Sequence, residues 1–117
     1  MIQLPPHIKI LLAIKPVDFR KGIDSLVALC RNQLSCEPFD GTIFVFRNRM
    51  RTCLKLLVYD GQGFWLCQKH FSQGKILWFP KQTDEEVHPL LTQQLPVLIY
   101  NGNPDLASFA DDWRKVA

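Results

Sequence analysis

Between Thr42 and Phe71 the chain spells three apolar runs separated by two short turns, and no other feature restricts its fold as much. Thr42 to Arg47 leads through Asn48-Arg49-Met50-Arg51 into Cys53 to Tyr59, and Asp60-Gly61-Gln62-Gly63 leads from there into Phe64 to Phe71. Connections this short favour antiparallel neighbours. Asp-Gly followed by a second glycine supplies the positive φ angles that tight hairpins require. The region therefore reads as a three-strand meander. Lys75 to Phe79, stopped by Pro80, reads as a further short strand. Ile8 to Ile14, stopped by Pro16, reads as a first strand whose near-continuous apolar character, broken by Lys9, implies burial on both faces.

A helical stripe separates that first strand from the meander. Phe19, Ile23, Leu26, Val27, Cys30 and Leu34 recur at helical spacing behind Asp18 as N-cap, with Lys21, Asp24, Ser25 and Arg31 on the opposite face. This predicts a helix over about 19–34. Downstream, Thr92 caps a short helix that contains Pro96 and closes at Gly102. Asn103-Pro104 then opens an amphipathic helix to about Lys115, with Leu106, Phe109, Ala110 and Trp113 on one face. The expectation is a single α+β domain over residues 1–117: a mostly antiparallel sheet, a meander of three to five strands, packed by one long helix, with short helices at the C-terminus.

A hydrophobic content of 47% in 117 residues is enough to build a core, which excludes a disordered or fibrous chain. The apolar runs are far shorter than the ~20 residues that span a bilayer, and Met1 to Pro6 lacks the basic-then-apolar pattern of a signal peptide. A cytoplasmic protein without a membrane partner is expected. The net charge of +3 is unevenly spread: residues 1–83 hold 12 of the 14 Lys and Arg but 5 of the 11 Asp and Glu. A basic body with an acidic tail favours an anionic partner at one end.

Catalytic chemistry finds little support. His7, His70 and His88 are scattered, no nucleophile turn or phosphate-binding glycine loop occurs, and Cys30, Cys36, Cys53 and Cys67 form no ligand-spaced pair. Asp18 reads as a cap, Asp60 as a turn residue, and Asp84, Glu85, Glu86, Asp111 and Asp112 lie in exposed-looking segments, so nothing marks the buried cluster of shared carboxylates that a pair of divalent ions needs. No catalytic residue, metal or cofactor is expected, and the chain is read as a non-enzyme.

The basic residues are more informative. Arg47, Arg49 and Arg51 alternate through the first turn, where their planar forks suit phosphate, carboxylate or base edges. Arg20 and Lys21 fall in the first turn of the expected helix, where the dipole disfavours cations unless an anion joins them. The plain alternatives are a solvated turn for the former and, for the latter, pairing of Arg20 with Asp24 and of Lys21 with Asp18 or solvent. Lys55, Lys69 and Lys75 lie on or beside the strands, the last two among Phe64, Trp65, Phe71, Trp78 and Phe79. Such aromatics stack on unpaired bases in some proteins, although a sheet core needs them too.

These segments also carry a likeness. Val17-Asp18-Phe19-Arg20-Lys21-Gly22-Ile23-Asp24-Ser25-Leu26 resembles a D-[MF]-R-K-G-x-[DE]-x-L signature. Phe39-Asp40-Gly41 running on through Arg49 is similar to F-x-G-x-[LIV]-F-V-F-x-[NG]-[RK], and Lys55 to Gly63 with Trp65-Leu66 to K-[IL]-L-x-[WY]-D-G-x-G-x-x-L. Lys69, Gly74, Trp78 and Pro80 follow as in a K-R-[LF]-x-x-G-x-F-x-W-P segment, with His70 and Ser72 where Arg and Glu are more usual. Over about residues 8–102 the chain resembles the accessory protein, often called TnpB, of insertion sequence sixty-six type transposons. The resemblance implies a non-catalytic helper of transposition, encoded beside a larger catalytic transposase. Its partners would then be that transposase and DNA at the element ends, contacted through Arg20, Lys21, Arg47, Arg49, Arg51, Lys55, Lys69 and Lys75. The alternative is an adaptor that docks the transposase without touching DNA. Nothing in the sequence specifies an oligomeric state.

Overall fold

In the computed structural model, which describes residues 8–106, the first strand is the hinge of the architecture rather than its edge. β1 (Ile10–Ala13) is buried along its whole length and lies between β2 (Ile43–Arg47) and β5 (Val87–Leu90). With β3 (Cys53–Tyr59) and β4 (Phe64–His70) they form one five-stranded sheet in the order β4-β3-β2-β1-β5. β2, β3 and β4 are the antiparallel meander, with Phe44 opposite Leu57 and Leu57 opposite Leu66. β1 runs parallel to β2, pairing Ile10 with Ile43, and antiparallel to β5, pairing Ile10 with Leu90. A parallel pair needs a crossover, and α1 (Ile23–Asn32) supplies it.

The expected architecture, a mostly antiparallel sheet packed by one long helix, is thereby corrected: the sheet is mixed, and among the described residues no long helix lies on it. α1 has ten residues, and the remaining helical elements among the described residues are a 3₁₀ turn at Thr92–Gln94 and α2 (Leu95–Ile99). The N-terminal shortfall traces to Asp18. Its Oδ1 accepts the Arg20 amide at 2.9 Å and its carbonyl the Lys21 amide at 3.0 Å, which closes a turn in place of a helical start. The chain stays extended at Gly22, and the helix begins one residue later. At the other end Ser35, at φ +54°, turns the chain, and the Cys36 amide donates to the Cys30 carbonyl at 2.9 Å.

Both faces of the sheet are covered, by different means. On one, α1 contributes Leu26, Leu29 and Cys30 to a cluster with Leu11, Ala13, Phe44, Phe46 and Leu57. On the other, Ile10, Leu12, Val45, Leu54 and Val58 meet Ile76, Phe79, Leu95 and Leu98. The run Lys75 to Phe79, expected as a strand, is irregular and serves as part of this second cover. Its backbone groups are satisfied elsewhere: the Ile76 amide donates to the Arg51 carbonyl at 2.7 Å. The Asn101 side chain accepts the Leu77 amide at 2.8 Å and donates to the Lys75 carbonyl at 3.1 Å. A side-chain amide that mimics a neighbouring strand removes the need for one.

β5 was not expected from the sequence, because Pro89 interrupts it. The Ile14 amide donates to the Glu86 carbonyl at 3.1 Å, which puts Pro89 out of the ladder's hydrogen-bonded positions, at a sheet edge where proline is tolerated. Asn103 accepts the Asp105 amide on its side chain and the Leu106 amide on its carbonyl, a turn; the rest of the helix expected to Lys115 lies outside the described residues. Among the described residues no helix is long and apolar enough to cross a membrane.

Candidate nucleic-acid interface

The turn joining β2 to β3 is organised by Asn48. Its Oδ1 accepts the amides of Thr52 and Cys53 at 2.9 and 3.1 Å, and its Nδ2 donates to Thr52 Oγ1 at 2.8 Å. This inward-facing hub allows Arg51 to adopt φ +62° and pushes Arg49 and Met50 outward, Met50 to 67% exposure. The segment before α1 is fastened alongside, since the Val17 amide donates to the Arg47 carbonyl at 2.9 Å. An open groove of ≈ 690 Å³ results, with residues 16–20 on one wall and Asn48, Arg49 and Met50 on the other. Arg20 and Arg49, distant in sequence, line the same groove.

An acid shares it. Arg20 Nη2 donates to Asp18 Oδ2 at 2.7 Å while Nε reaches both carboxylate oxygens at 3.1 Å. These hydrogen bonds from Arg20 hold the Asp18 carboxyl down at about 2, so the pair stays ionised at neutral pH. Arg20 is thus partnered by Asp18, not by Asp24 one turn along. Because both Arg20 and Lys21 precede the helix, the dipole argument for an anion at its first turn no longer applies.

The remaining basic residues separate sharply. Arg47 is only 8% exposed: its guanidinium carbon lies 5.4 Å from the centre of the Phe79 ring, and Nη1 donates to the Asn48 carbonyl at 3.3 Å. Its buried Nε has no hydrogen-bond partner among the described residues, and burial, aided by Arg51, pulls the pKa of the side chain down. Lys55, 5% exposed, donates to the carbonyls of Phe19 and Lys21 at 2.9 and 3.1 Å and lies over the Phe19 ring. It is a strut beneath the segment that carries Arg20. Lys69 donates to the Ile99 carbonyl at 2.6 Å, between the rings of Phe71 and Tyr100. Lys21, Arg49 and Lys75 are exposed and Arg51 half-buried. Of the eight basic residues singled out in the sequence, the groove unites Arg20 with Arg49, while Arg47 and Lys55 are turned inside.

Sequence reasoning passed over one contact. Cys53 Sγ and His70 Nδ1 are 2.8 Å apart, on opposite strands of the β3–β4 hairpin. Counting outward from the Asp60–Gly63 turn pairs residue 53 with residue 70, so the signal was present. Asp60 itself is fully engaged in that turn, accepting the amides of Gln62 and Gly63 and the Trp65 indole N–H, which together lower its pKa. Burial pushes the Cys30 thiol up to about 12, which keeps it protonated and inert. Among the described residues no three of His, Cys, Asp and Glu gather as metal ligands would.

The chain is 40% identical over 88 residues to the "Uncharacterized protein y4jC" of Sinorhizobium fredii (strain NBRC 101917 / NGR234), covering 75% of this chain and 74% of that one. It is 33% identical over 78 residues to the "Uncharacterized protein y4hO" of the same organism, covering 67% and 68%. No solved structure shows significant similarity to it. Residues 8–105 match the family described as IS66 Orf2 like protein, a stretch that holds the whole groove. The chain therefore belongs to the IS66 Orf2-like family, the TnpB-type accessory proteins of insertion-sequence transposons.

Proposed function

We propose that the protein acts in the cytoplasm as a non-catalytic accessory factor of transposition that binds DNA at the ends of its element. The observation that carries this reading is the open groove in which Arg49, on a hairpin tip stiffened by Asn48, faces Arg20. Guanidiniums held at a rigid tip bind phosphate with little ordering cost. Lys21 and Arg51 adjoin these walls along the chain, and Lys55 holds the segment that carries Arg20 from inside. Binding to duplex DNA should weaken with salt at a log–log slope near about −0.9 for each phosphate neutralised. Arg49→Gln should weaken binding to all sequences alike and reduce that slope by about one contact. Asp18→Asn should do the reverse, since it removes the anion that occupies Arg20. Salt titrations of fluorescence anisotropy measure both, and an affinity unmoved by either variant would contradict the reading.

A second reading, an adaptor that docks the catalytic transposase, draws on the exposed Met50 beside the Asp18–Arg20 pair, a mixed apolar and ionic surface that suits a protein partner. It requires Met50→Ala and Arg49→Gln to abolish co-purification with the transposase while any DNA affinity of the isolated protein stays unchanged.

A further inference from the structure

The two edges of the sheet are protected very differently. β5 is four residues long and carries Pro89, features that discourage pairing with another chain. β4 has seven residues, pairs with β3 in unbroken register from Phe64 to His70, and contains no proline. Its one lysine, Lys69, is directed at the Ile99 carbonyl and does not guard the edge. Trp65, 52% exposed, and Cys67 also face solvent.

We propose that β4 pairs with β4 of a second copy, antiparallel and centred on Cys67, joining two sheets into one. The register follows from the ladder. The Asp60 amide bonds the Gly63 carbonyl at one end and the Phe71 amide the Thr52 carbonyl at the other, so residues 65, 67 and 69 direct their backbone groups at β3. Phe64, Leu66, Gln68 and His70 therefore direct theirs outward. A two-fold pairing of this strand can satisfy all four only by setting Phe64 against His70 and Leu66 against Gln68. Centring on Leu66 or Gln68 strands one of them beyond the partner's end. The register that works yields about eight new backbone hydrogen bonds, two for each bonded pair. It also sets Cys67 opposite its own counterpart at a non-hydrogen-bonded pair. There the Cα separation of about 4.5 Å falls within the range a disulfide spans. This self-complementarity is what selects a second copy over an unrelated strand, and it does not depend on the nucleic-acid reading.

Sedimentation equilibrium of the full chain under reducing conditions, from micromolar to several hundred micromolar, should show a dimer. Gln68→Pro removes one outward N–H and no β3–β4 bond, and Cys67→Lys sets two ammonium groups against each other on an exposed position. Each should shift the apparent Kd by at least tenfold toward monomer with the melting curve of the monomer unchanged. Diamide, which takes up two electrons and two protons as two thiols become a disulfide, should link the wild-type chains covalently and leave Cys67→Ser unlinked. A wild-type chain that stays monomeric throughout, a terminal segment covering β4 included, would overturn the proposal. So would a Cys67→Lys variant that dimerises as tightly as the parent.

Discussion

The two faces of the sheet bury comparable apolar side chains under covers of opposite character. On one, a ten-residue helix sets Leu26, Leu29 and Cys30 at helical intervals. On the other, an irregular run carrying Ile76 and Phe79 and the five residues of α2 do the same work. The helical cover satisfies its own backbone. The irregular one borrows Asn101 and the Arg51 carbonyl for that purpose. The faces differ as well in the cation each takes in. Lys55, on the α1 side, finds two carbonyls, whereas Arg47, on the other, finds one carbonyl and an aromatic ring and leaves its Nε without a partner among the described residues. Burying apolar surface does not require a regular cover, but burying a charge well requires acceptors, and an irregular segment offers them only by chance of position.

The comparison is tested most severely on β3, where Leu54 and Leu57 are both fully buried and point to opposite faces. Leu54→Ala and Leu57→Ala should each cost about 2–5 kcal/mol in urea unfolding. A loss below ~1 kcal/mol at Leu54 would mean that the irregular cover is loosely applied. Lys55→Met should come next, costing about 1–3 kcal/mol, because it leaves the Phe19 and Lys21 carbonyls without their donor. Asn101→Gly keeps the left-handed backbone at φ +64° but deletes the amide, and should cost about 1–2 kcal/mol. Amide exchange at Leu77 should quicken in that variant more than at any α1 position. Arg47→Met should leave stability unchanged or raise the melting temperature slightly, since the guanidinium is buried without an acid partner. A clear loss there would show that its contact with Phe79 outweighs burial.

Acid should touch neither face before it touches the groove. The Asp18 carboxyl is held at about 2, below its ordinary value of 3.8, so its stabilising contribution is complete above that ordinary value and is lost as pH falls through about 2. The melting temperature should decline slightly over that window, and Asp18→Asn should flatten the decline. It is the smallest of the expected effects, because the pair is exposed and screened.

Several elements were legible because their causes are local. The meander follows from two turns whose side-chain hubs, Asn48 and Asp60, sit within five residues of every group they bind. The apolar stripe through Leu26 and Cys30 marked the α1 face correctly, although Asp18, read as a helix cap, spends its carboxylate on Arg20 and delays the start. The groove was half legible: the basic turn was evident, but its partner wall depends on one backbone bond from Val17 to Arg47. The exposed-looking cations misled because lysine and arginine have long apolar stems that accept burial once a carbonyl or ring meets the charge.

The sequence by itself determined the hairpins, the helical stripe and the family, each written in residues close together along the chain. Only the tertiary structure decided that β1 would run parallel to β2 and antiparallel to β5, that Lys75 to Phe79 would cover a face without joining the sheet, and that Arg47 and Lys55 would turn inward. The physical reason is the same throughout. A backbone amide turned from solvent or a buried cation must be met by an acceptor, and where the acceptor comes from 24 or 36 residues away, as Asn101 Oδ1 does for the Leu77 amide or the Phe19 carbonyl for Lys55, local pattern carries no trace of it.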